Sequence, residues 1–159
     1  MKKNTGFTLI ELIVVVGILS MLSIVVMSAI KPARRFSETR DARRAEDANQ
    51  ILSAVHQCAI DKKDSPLMPT CLGTVTAGTT YEITSSNVNS GCQTLCTNAT
   101  SDSSCLQLNS TLDDYFVNLP TDPSGVVTGH TGYSLTLYSN GMTVIEACAA
   151  ENGSIKASR

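Results

Sequence analysis

A single carboxylate, Glu11, stands inside an otherwise apolar run from Phe7 to Ile30. Those residues form a helix of ~36 Å at ~1.5 Å per residue, long enough to cross a hydrocarbon core of ~30 Å. Apart from Glu11 the run holds only Thr8, Ser20, Ser23 and Ser28 as polar side chains, and such hydroxyls bond back to helix carbonyls, so they do not oppose insertion. Glu11 does oppose it. One acidic side chain in a spanning helix costs on the order of 3 kcal/mol, so it calls for a partner or a task.

A cleaved secretory signal does not fit this terminus. Lys2 and Lys3 suit its charged start, but the apolar core is too long and Ser28-Ala29-Ile30 is a weak cleavage site. An ordinary signal anchor meets a different difficulty. Lys31, Arg34, Arg35, Arg40, Arg43 and Arg44 follow the span closely. Counted by the positive-inside rule, they hold the rest of the chain in the cytoplasm. Six cysteines in that remainder point instead to an oxidising compartment.

The order Lys2-Lys3-Asn4-Thr5-Gly6, then Phe7-Thr8-Leu9-Ile10-Glu11, then a long apolar helix, resembles the leader and start of type IV pilins and type II secretion pseudopilins. The resemblance implies a six-residue leader, residues 1–6, removed by a prepilin peptidase between Gly6 and Phe7, with Phe7 then N-methylated. It also implies that Glu11 is the family's acidic assembly residue, facing the terminal ammonium of a neighbouring subunit. The chemistry agrees with this. A new amine at Phe7 adds positive charge to the already positive end of a helix, and a carboxylate nearby stabilises both. In a bundle of parallel helices, pairing the two buried charges favours one axial register.

Of the 159 residues, roughly 129 lie beyond leader and span, enough for one small domain. The resemblance implies an α+β, pilin-like fold. Its parts are a transmembrane and assembly helix over 7–30, an amphipathic half over 31–62, and a head over 63–159. Pro32 is expected to interrupt or kink the helix. Beyond it, Ala45, Ala48, Leu52, Val55 and Ala59 recur at spacings of three and four, a stripe expected to pack on a sheet. Glu38, Asp41, Arg43, Arg44, Glu46 and Asp47 are expected to form a solvated face, with ion pairing between subunits as the sharper alternative. From Asp64 to Ile155 there is no Lys or Arg, against eight acids. Such a surface repels phosphates, so no direct binding of nucleic acid is expected there.

From Asp64 to Asn109 the chain is rich in Ser, Thr, Gly, Asn and Pro, and only Thr80–Thr84 reads as a strand. Cys71, Cys92, Cys96 and Cys105 lie in or beside this loop, with Cys58 and Cys148 outside it. Three disulfides are expected, with Cys58 joined to Cys71 across a short Pro-containing loop, while the other pairings stay open. A zinc site from Cys92, Cys96 and Cys105 lacks the paired close spacings of a zinc ribbon. Neither His56 nor His130 has a second histidine within reach in sequence, and no metal or cofactor is expected. Asp113, Asp114 and Asp122 offer hard oxygens. They match no ligand pattern of the calcium loop found in the major type II pseudopilin.

Leu119-Pro120-Thr121-Asp122-Pro123 forces a turn. Tyr133–Ser139 and Met142–Cys148 then flank Asn140-Gly141, a strong signal for a two-residue hairpin. That pairing puts Tyr133, Leu135, Leu137, Val144 and Cys148 on the inner face. Glu146 falls there too, which requires an edge position or a bulge.

No nucleophile, base and orienting group form a trio, and no Gly-rich phosphate loop is present, so no enzyme is expected. The resemblance implies a structural subunit of a surface filament, whether major or minor pilin. Its partners would be like subunits, the prepilin peptidase and an inner-membrane assembly platform. Before assembly it would be a single-pass inner-membrane protein with its head outside the cytoplasm. The alternatives are a pseudopilin of a periplasmic export pseudopilus and a non-polymerising, membrane-anchored Cys-rich binding protein.

Overall fold

The computed structural model describes residues 6–63, 70–73, 75–108, 110 and 112–159. Met1, Lys2, Lys3, Asn4, Thr5 and residues 64–69 of the Pro-containing loop between Cys58 and Cys71 lie outside the described residues. The chain divides into two compact units, Met1–Ser37 and Glu38–Arg159.

In the first unit, α1 runs Leu9–Ile30 and buries none of its residues. Three of its hydroxyls bond back to carbonyls, Ser20 to Val16, Ser23 to Leu19 and Ser28 to Val25, each at 2.8 Å. These three hydroxyls are thus satisfied within the helix, as a span in lipid requires. α1 ends at Lys31, in the left-handed region at φ 46°, and α2 begins with Pro32 and continues to Asp61. Proline disfavours the helical conformation in the residue before it and suits a first helical position, where no N–H is needed. The expected interruption is therefore a break at Lys31.

The second unit is α+β. Its sheet contains β1 (Thr80–Thr84), β2 (Cys105–Gln107), β3 (His130–Leu137), β4 (Thr143–Ala147) and β5 (Lys156–Ser158), in the order β2-β1-β3-β4-β5. Only the β1–β2 pair is parallel. A short helix, α3 (Cys92–Leu95), lies in the polar stretch between β1 and β2. Ile83, Leu135, Leu137 and Ile145 share a core with Ala48, Ile51, Leu52, Val55 and Cys58 of α2. The buried stripe of α2 is wider than the alanine spacing suggested. Ala45 and Ala59 are only half-buried, while Ile51, Ala54 and Cys58 are inside.

The hairpin register corrects the expectation. A two-residue turn at Asn140-Gly141 opposes Ser139 to Met142, whereas the observed pairs are Leu137 with Thr143, Leu135 with Ile145 and Tyr133 with Ala147. Gly141 N–H donates to the Tyr138 carbonyl (2.9 Å) and Tyr138 N–H to Met142 (2.9 Å). Gly141 alone takes positive φ, at 86°. This is a three-residue loop closed by a glycine bulge. One residue of slip reverses every side chain of the second strand. Thr143, Ile145 and Ala147 are buried, while Val144, Glu146 and Cys148 are half-exposed on the other side. Glu146 therefore leaves the core and meets Asn98 (2.9 Å), Ser154 (3.0 Å) and Lys156 (3.2 Å).

Three disulfides tie the polar stretch down: Cys58–Cys71, Cys92–Cys105 and Cys96–Cys148. The first is the pair expected from the short intervening loop. Closing a loop of this size stabilises by about 3 kcal/mol in the chain-entropy account. All three sulfurs of the zinc alternative are consumed in disulfides.

Candidate assembly site

Gly6 and Phe7 precede α1, and Phe7 is 86% exposed. Thr8 is the N-cap. Its backbone is extended and its hydroxyl accepts from the Glu11 N–H at 3.4 Å, while its carbonyl accepts the first helical bond from Leu12 at 3.3 Å. Thr-x-x-Glu is the spacing of a capping box, which fixes where the helix starts and places an acidic side chain in the positive first turn. Glu11 is thus one turn from the Gly6-Phe7 bond. Among the described residues its carboxylate has no cationic partner.

The head has a second charged locus that the sequence did not disclose. Arg44, assigned above to a solvated face, is fully buried. Its Nε and Nη2 donate to Asp122 at 2.7 and 3.0 Å, its Nη1 to Asp41 at 2.8 Å and to Glu151 at 3.0 Å, and its Nη2 also to Ser124. Those are five bonds for the five N–H groups of a guanidinium. Arg40 adds two bonds of 2.6 Å to Glu151. Asp41 in turn accepts from the backbone N–H groups of Glu151 (3.1 Å) and Asn152 (2.8 Å). The clasp thereby joins α2 to the Pro120–Pro123 turn and to the segment after β4 within one head. Gly132, at φ 79°, makes room for it, since a Cβ there would sit 2.9 Å from the Asp122 Cβ.

Burial opposes ionisation of Asp41 and Asp122, but hydrogen bonds outweigh it. Asp41, bonded by the Glu151 backbone and Arg44, is held at about 2. Asp122, bonded by Arg44 and Ser124, also lies below the usual carboxylate range. Bonding to Arg40 and then Arg44 holds Glu151 at about 2. Arg44 is pushed further up, chiefly by its bond to Asp122. Both Asp122 oxygens thus serve Arg44, and Asp113 and Asp114 are simply exposed. The sequence signal for this clasp is segregation of charge. Arginines spaced by four on α2 face a distal chain that carries eight acids and no Lys or Arg before Lys156.

A second buried acid, Glu82, pairs with His130 Nδ1 at 2.9 Å, and burial pushes its carboxyl up despite that partner. Tyr133 donates to Asp47 at 2.8 Å, and burial followed by that bond raises its phenol well above the ordinary range.

No curated protein and no solved structure matches the chain. Residues 1–27 match the prokaryotic N-terminal methylation motif. That motif is found on structural rather than catalytic proteins, and it lies over a helix long and apolar enough to cross a membrane. By this N-terminal segment the chain carries the signature of the type IV pilin and pseudopilin class.

Proposed function

We propose that the chain is a structural subunit of a type IV pilus, anchored in the inner membrane by α1, processed between Gly6 and Phe7 by a prepilin peptidase and N-methylated at Phe7. An assembly platform then extracts it and stacks it through α1 onto like subunits. The carrying observation is the methylation motif at residues 1–27. Its physical counterpart is the Thr8 cap, which starts the helix just after the scissile bond and leaves Glu11 one turn inside.

Before cleavage Glu11 is only a cost to insertion. Afterwards the Phe7 ammonium of a neighbouring subunit offsets it, so removal of residues 1–6 both creates the cation and licenses assembly. Lys2 and Lys3 leave with the leader, so the mature span keeps Glu11 as its single charged side chain. The surface pilus is favoured over an export pseudopilus by three disulfides in the head, which suit a fibre exposed to shear and proteolysis. Gly6→Val is the direct test. Its branched side chain is expected to block cutting, so that the protein accumulates at precursor mass in the membrane and no fibre forms. Normal processing of that variant contradicts the proposal.

A further inference from the structure

On the face of β1 opposite the core, Glu82 and Thr84 lie buried, and two of their side-chain oxygens, Glu82 Oε1 and Thr84 Oγ1, have no hydrogen-bond partner. The other Glu82 oxygen meets His130 Nδ1. Cys92 is fully buried in the same place. One ligand-type atom from each of Glu82, Cys92 and His130 lies within 4.8 Å of the other two. Carboxylate, imidazole and thiolate are a ligand set for zinc-type ions, and Glu82 Oε2 and His130 Nδ1, 2.9 Å apart, stand where one ion can take both.

We propose that Glu82, His130 and Cys92 form a binding site for zinc-type divalent ions in the chain before the Cys92–Cys105 disulfide forms, and that formation of this disulfide closes the site and expels the ion.

Most of the site does not depend on that disulfide. Glu82 and His130 belong to neighbouring strands, β1 and β3, which pair by backbone hydrogen bonds. Cys92 is placed by its own N–H bond to the Asp102 carbonyl (3.2 Å), and the same loop is anchored by Cys96–Cys148. Gly91, just before Cys92, lies against the His130 ring, with Nε2 3.6 Å from the position a Cβ would take. Binding deprotonates the Cys92 thiol and releases that proton to solvent. Closure transfers two electrons from the Cys92 and Cys105 sulfurs to a disulfide oxidant of the thioredoxin-like class. That oxidant leaves as a dithiol, the S–S bond forms, and the metal loses its thiolate ligand.

The test uses the full chain with Cys105→Ser, its other two disulfides verified by peptide mapping, titrated with Co²⁺ as a spectroscopic probe. One equivalent is expected to bind with a thiolate-to-cobalt charge-transfer band, displaced by Zn²⁺. Adding His130→Ala or Glu82→Gln is expected to weaken binding by about tenfold or more. Oxidised wild type is expected to give no band. A second measurement uses the wild-type chain. During oxidative refolding, Zn²⁺ is expected to delay the Cys92–Cys105 bond relative to a chelator, and His130→Ala is expected to remove the delay. Absence of the band in folded Cys105→Ser, or a band indifferent to both ligand substitutions, overturns the proposal. If Cys105→Ser does not fold, a zinc-insensitive rate of Cys92–Cys105 closure overturns it.

Discussion

The two units of the chain solve opposite problems. In α1 every side chain is exposed, including apolar ones from Leu9 at 76% to Val15 at 49%, whereas in the head even a guanidinium and a glutamate are sealed from water. Burial is what holds a small domain together, and α1 obtains none from its own chain. In the proposed pilus subunit its stability is borrowed, first from lipid and then from other copies. The head supplies its own, through one core, three disulfides and the Arg44 clasp. A change in α1 should alter association and leave the head folded, and a change in the clasp should do the reverse.

The largest expected effect falls on α1. Glu11→Ala should be cut and methylated normally and remain in the membrane, yet fibre yield should drop close to zero, while the unfolding midpoint of the head is unchanged. Sedimentation of sheared fibres and thermal unfolding read the two outcomes separately. Next is Arg44→Ala. Removing the buried guanidinium strands Asp122 without its ion pair, a loss of about 3–5 kcal/mol, measurable by denaturant unfolding of the purified protein.

Acid should produce a smaller and graded version of that loss. Asp41 and Glu151 lie at about 2 in the folded head and Asp122 is also lowered, against about 4 for unfolded carboxylates. Because the folded values are depressed, the unfolded state takes up protons first. Their stabilisation is complete above about pH 4 and is lost as pH falls toward about 2. Unfolding midpoints between those limits should decline for wild type and less steeply for Arg44→Ala, which loses the Asp122 pair and keeps the Arg40 bond to Glu151. The smallest effect is expected in the head without its apolar helix. Removing residues 1–30 should give a soluble head whose urea midpoint matches that of the intact protein in detergent.

How far the sequence disclosed this structure depended on how local each signal was. The methylation motif, the apolar helix and the break before Pro32 are contiguous and were legible. β1 was legible too, at Thr80–Thr84, but β2 and β5 are three residues each, too short to show an alternation. The hairpin was located correctly and paired wrongly, because Asn140-Gly141 suits both a two-residue turn and the observed loop with Gly141 in a bulge. The misplaced Glu146 was the available warning. Arg44 was misassigned because charge predicts exposure unless partners are known. Its partner Asp122 is 78 residues away, and nothing in α2 alone announces it. The meeting of Glu82, His130 and Cys92 is likewise a product of strand pairing and loop closure.

In the proposed function Gly6 and Phe7 are parted so that a new amine can meet Glu11. Mass spectrometry of the N-terminal peptide from sheared surface fibres addresses it most directly. A peptide that begins at Phe7 and carries one added methyl group is expected. A peptide that begins at Met1 or Lys2, unmethylated, contradicts it.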